Sequence, residues 1–151
     1  MHYSIFRSIY KSLVMRPSQD IIIAFYQNLG KLFYAIAAAD KHVEEVEYTV
    51  LKEIVKTKWT KIDPVDDDFH TDTAYQIETV FDWLNNESFS DAETCYTEFL
   101  DFKRAHPSLF TEEIKRLILS TANKIASSFH GLNKSELMIL AKLSIELKKT
   151  K

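Results

Sequence analysis

Only two glycines occur in 151 residues, and only three prolines. That scarcity argues against a turn-rich β architecture and favours long helices. Two glycines also cannot build a phosphate-cradling loop, and neither G-x-x-x-x-G-K-[ST] nor G-x-G-x-x-G occurs. One cysteine, Cys95, excludes an intramolecular disulfide framework and suits a reducing cytoplasm. There is no excess of positive charge. The net charge is −3, so no electrostatic footprint for nucleic acid is present. No long apolar run occurs either. Residues 21–39 come nearest, but Gln27, Asn28 and Lys31 make them too polar to span a bilayer. Met1-His2-Tyr3 lacks the basic start of a secretory signal, and Arg7, Lys11 and Arg16 interrupt any apolar run after it. The five histidines are scattered, without H-x-x-x-H or H-E-x-x-H spacing. No nucleophile, base and orienting group stand out as a catalytic set.

What is present is bulk with helical spacing. Ten Phe, seven Tyr and two Trp supply a core, and the length suits a single domain, residues 1–151. Ile5, Ile9 and Leu13 predict a first helix over Tyr3–Val14, which Arg16-Pro17 ends. A basic amphipathic helix can lie on a membrane, but its commoner fate is to pack on its own domain. Residues 17–148 then form the core bundle. Ile22, Phe25, Tyr26, Leu29, Leu32, Phe33 and Ile36 stripe a second helix to Ala39. Gly30 inside it costs about 1 kcal/mol against alanine; a close backbone crossing would account for it. A third helix runs from Glu45 to Lys58, with Trp59 closing it against the core. The acidic linker Lys61–Asp72 lacks the glycine and terminal glutamate of a calcium loop, and Thr71 or Asp72 can cap the helix after it. Ile77, Val80, Phe81 and Leu84 mark this fourth helix. Ser90-Asp91-Ala92-Glu93 has the pattern of a capping box for a fifth, with Cys95, Phe99 and Phe102 inward. Thr111 opens a sixth, with Ile114, Leu117, Ile118, Thr121, Ile125 and Phe129 in register. Leu137, Leu140, Ala141 and Ile145 stripe a seventh, from Lys134 to Lys148.

The most informative stretch joins the second helix to the third: Ala37-Ala38-Ala39-Asp40-Lys41-His42-Val43-Glu44-Glu45-Val46-Glu47. Glu44 stands at the N-cap and Glu47 three residues on, as in a capping box. Three glutamates suit the positive end of a helix. Asp40, Glu44 and Glu47 could also supply oxygens to Ca²⁺ or Mg²⁺, and His42 would bias such a site toward zinc. Capping accounts for Glu44 and Glu47 without any metal.

This run resembles the A-x-A-D-G-x-[VI]-[ST]-x-x-E signature of the TerB-like, tellurite-resistance family. Lys41 stands in place of the family's glycine, and Glu44 in place of its Ser/Thr. Related helical domains occur in a membrane-bound DnaJ-type co-chaperone. The resemblance implies an all-α bundle of about seven helices. It also implies an acidic site for a divalent cation, and a role in stress response or phage defence rather than catalysis. Carried over, the site residues are Asp40 and Glu47.

A fainter copy of the corner lies at an offset of 89 residues, 136 minus 47. Ile36-Ala37 falls on Ile125-Ala126, Val43 on Leu132, Glu47 on Glu136 and Leu51 on Leu140. Asn133 is a good N-cap for Glu136 to complete, while Asp40 becomes Phe129. Either any two capped corners look alike, or the chain carries a pseudo-repeat whose bends meet and bring Glu47 to Glu136, which makes Glu136 a further candidate ligand for the ion. The expectation is thus a cytoplasmic, non-catalytic binding or sensing module with a protein partner, linked to an ion or not.

Overall fold

The computed structural model describes residues 18–39, 43–62, 73–87, 91–128 and 133–149. These form six α-helices: α1 Gln19–Ala37, α2 Glu45–Thr57, α3 Gln76–Asn86, α4 Ala92–Ala105, α5 Glu112–Ala126 and α6 Lys134–Lys148. Short 3₁₀ turns occupy Trp59–Lys61 and Pro107–Leu109. No strand occurs among the described residues. The six match the second to seventh helices expected from sequence. The helix over Tyr3–Val14, residues 63–72 of the linker with its caps, and residues 129–132 lie outside the described residues.

The starts are set by local chemistry. The Ser18 hydroxyl accepts the Ile21 N–H and the Thr111 hydroxyl the Ile114 N–H, each at 3.2 Å. Each satisfies one backbone donor that the first turn leaves unpaired. For α4 the N-cap is Asp91 rather than Ser90. Its carboxylate accepts the Glu93 N–H at 3.4 Å and the Thr94 hydroxyl at 2.8 Å. A charged acceptor suits the positive end of the helix.

The bundle is built around α1, which packs on α3, α4, α5 and α6. Every residue from Leu32 to Ala38 is buried, as befits a helix surrounded on all sides. Gly30 sits where α1 crosses α3. A Cβ built there would lie 2.6 Å from the Ile77 carbonyl oxygen and 2.9 Å from Val80 Cβ. The close crossing that the glycine implied is therefore present, and α3 is the helix that makes it.

Aromatic rings tie the remaining elements to α1. Phe25 meets Phe110 edge-on at 5.5 Å, and Phe99 meets Phe110 at 5.8 Å, a preferred geometry for ring quadrupoles. Trp59 is fully buried. Its indole N–H donates to the Thr121 hydroxyl on α5 at 3.1 Å. That bond closes the end of α2 onto the core, as the sequence anticipated for Trp59.

Candidate functional site

At the first corner α1 ends on Ala38, whose N–H donates to the Tyr34 carbonyl at 2.8 Å. Then α2 begins from Glu44, and the Glu44 N–H donates to Glu47 Oε1 at 2.7 Å. At the second corner α5 ends on Ser127 and α6 begins from Asn133. There the Asn133 N–H donates to Glu136 Oε1 at 3.2 Å, and the Glu136 N–H donates to Asn133 Oδ1 at 2.9 Å. The C-cap backbones are almost the same, with φ −94°, ψ 10° at Ala38 and φ −94°, ψ 1° at Ser127.

The offset of 89 residues pairs more than the caps. Phe25, Leu29, Leu32, Phe33, Ile36 and Ala37 fall on Ile114, Ile118, Thr121, Ala122, Ile125 and Ala126, and all twelve are buried. Glu47 and Glu136 fall on each other at 3% and 4% exposure. Each carboxylate is drawn inward by the helix start it caps. The packing is exchanged between the units: α2 lies on α5, while α6 lies on α5 and α1. The helices bearing Glu47 and Glu136 make no extensive interface with each other.

Among the expected ion ligands, Glu44 is half-buried at its N-cap, and Glu47 and Glu136 are buried. Asp40 and His42 lie outside the described residues. Among the described residues no three His, Cys, Asp or Glu side chains gather as a metal-binding group. The capping oxygen of Glu47 is engaged by backbone.

Cys95 is free and buried. Burial, followed by the nearby Glu98 charge, pushes its thiol up to about 11. It stays protonated near neutral pH and packs as a small apolar side chain.

One constellation went unread in the sequence. Lys103 on α4 and Glu146 on α6 are both buried. Lys103 Nζ lies 3.6 Å from Glu146 Oε2. Arg104 and Lys149 reach Glu146 Oε1 at 3.2 and 3.3 Å. Burial pushes the Glu146 carboxyl up, but these two hydrogen bonds and charges hold it below the ordinary value. Burial and the Glu146 charge raise the neighbouring Tyr96 hydroxyl to about 12. For Lys103 a signal was available, since it lies four residues after Phe99 on an inward stripe; for Glu146 there was none, because apolar residues occur all round α6.

The expected inward face of α6 is corrected by the structure. Of Leu137, Leu140, Ala141 and Ile145, only Leu140 faces the core; the buried set is Glu136, Leu140, Leu143, Glu146 and Leu147. This arises from the capping of Glu136, which fixes the rotation of the helix. Leu137, Met138 and Ile145 consequently stand outside at 50%, 53% and 62% exposure. Beside them an open groove of about 490 Å³ runs between α4 and α6, lined by Glu93, Tyr96, Leu100, Met138, Ile139 and Lys142.

No family model matches the chain, and no curated protein or solved structure matches it either.

Proposed function

We propose that this chain is a non-catalytic binding module of the TerB-like type, serving a cytoplasmic stress-response system by docking another protein. In this reading the helix expected over Tyr3–Val14 brings the bundle to seven. The two corners are a pseudo-repeat, supported by their shared cap geometry and six pairs of buried residues. The observation that carries the docking role is the outer face of α6. Three large apolar side chains there are at least half exposed, whereas most comparable residues in the bundle pack inward. Contiguous apolar surface left out of a core marks an interaction site.

The test is photo-crosslinking in the native host. A photoreactive residue at Leu137 or Ile145 is expected to yield a covalent adduct with another protein. The same residue at Lys56, exposed on α2, is expected to yield none. No adduct from either α6 position would defeat the docking role.

The ion-linked form of the module adds a divalent cation at the first corner, through Asp40 and Glu47 with help from His42 or Glu44. It is favoured by Glu47, a carboxylate buried beside that bend. In this form, calorimetric titration of chelator-stripped protein with Zn²⁺, Ca²⁺ and Mg²⁺ gives heat with one of them. That heat disappears in both Asp40→Asn and Glu47→Gln. Equal heats in the parent and both variants would remove the ion from the picture and leave Glu47 as a cap.

A further inference from the structure

The exposed side of α6 has a second property besides being apolar. Its exposed charges are Lys134, Lys142 and Lys148, and both of its carboxylates, Glu136 and Glu146, are buried. The helix start takes Glu136 inward as a cap. The Lys103–Arg104–Lys149 cluster takes Glu146 inward. Folding thus sorts the charges of a mixed-sign helix and leaves only cations outside. Leu137, Ala141, Ile145 and Met138 follow one another around this same side at helical spacing, with lysines among and beside them. The chain as a whole is acidic at −3, so the cationic strip runs against its overall charge.

We propose that this face docks an acidic amphipathic helix of a partner protein. An apolar side chain of the partner enters the groove between Tyr96, Leu100, Met138 and Ile139, whose α4 wall also carries Glu93, and its flanking carboxylates lie on the α6 side against Lys134, Lys142 and Lys148. The inference rests on the docking role proposed above and gives its partner a chemistry. Helix-in-groove recognition uses anchors at such spacing, and opposed charges set register and encounter rate. Two other occupants fit less well. A second copy of α6 would set lysine against lysine. An anionic bilayer would match the lysines, but it has no use for a concave groove, and the net negative charge of the chain opposes its approach.

The experiment uses the whole chain and a synthetic helix with leucine on one face and glutamate on the other. Its counterpart has lysine in place of glutamate, and phosphatidylserine-containing vesicles serve as the bilayer. Fluorescence anisotropy is expected to show binding of the glutamate peptide, weakening with salt. The double variants Met138→Gln/Ile145→Gln and Lys134→Glu/Lys142→Glu should each weaken it by about tenfold or more, a loss of about 1.4 kcal/mol. All four positions are outward-facing, and an unchanged circular dichroism melt confirms that the variants fold. The lysine peptide and the vesicles should not bind. Equal binding of both peptides, vesicle binding without peptide binding, or unchanged affinity in the double variants would each overturn the proposal. So would a dimer in sedimentation that Ile145→Gln dissolves. A crosslinked partner at Ile145 combined with silence from the glutamate peptide would sink the chemistry while leaving the docking role standing.

Discussion

Gly30→Ala should destabilise the bundle by about 2 kcal/mol net. Overpacking a well-filled site costs about 1–3 kcal/mol or more. The clash here belongs near the top of that range, because one obstacle is the Ile77 carbonyl, 2.6 Å from the added carbon. Helical backbone in the first turn of α3 cannot yield as a flexible side-chain end can. Alanine returns about 1 kcal/mol through its better helix propensity, which offsets part of the loss. For a chain of this size the midpoint should fall by roughly 4–8 °C. Denaturant unfolding followed by helical ellipticity measures the change. Trimming the neighbour with Val80→Ala should recover little, since the carbonyl and the Val80 Cβ both remain. An unchanged or raised midpoint for Gly30→Ala would mean that α1 and α3 do not cross this closely.

The second large effect is expected at Glu146. Two of its three cationic partners, Arg104 and Lys149, are about half exposed, and such arms contribute little. Lys103 differs because it is buried with its carboxylate partner. Glu146→Ala leaves that ammonium in the interior without an opposite charge. Loss of one partner from a buried pair costs about 3–5 kcal/mol. Replacing both members, as Lys103→Met with Glu146→Leu, should restore most of the stability or exceed it, because neither charge then needs desolvation. A double variant no better than Glu146→Ala would contradict this account.

The same carboxylate predicts a pH dependence. Its native value lies below the ordinary 4.5, so the folded state holds fewer protons than the unfolded chain in that range. Its contribution is therefore present above about 4.5 and is lost as pH falls through the lower native value. Glu146→Gln should flatten the acid limb of the stability curve between those two points. The parent and variant curves should run parallel from there to neutral pH.

Local chemistry explains how much of this was legible. Helices α1 to α6 were readable because capping residues and apolar spacing act within a few residues of each other. Asn133 caps where expected, Glu47 and Glu136 do so across the 89-residue offset, and Ser18 and Thr111 cap at the helix starts. The face of α6 was not readable by periodicity. Leu137, Met138, Ile139, Leu140, Ala141, Leu143, Ile145 and Leu147 place apolar side chains all round the helix, so no stripe stands out. Aligning Glu136 with Glu47 does choose correctly, because a buried capping glutamate sets the rotation and brings Leu140 and Leu143 inward, as it brings Leu51 and Ile54 inward on α2.

By itself, then, the sequence determined an all-helical chain, its breaks and its two capped corners, because each depends on neighbours along the backbone. Tertiary packing decided that α1 is the central helix and that Gly30 meets α3. It also decided that Lys103 and Glu146 share the interior, leaving lysines and apolar side chains on the outside of α6. Those outcomes depend on which surfaces meet across distant positions, such as the 42 residues between Arg104 and Glu146, and no local pattern encodes that choice.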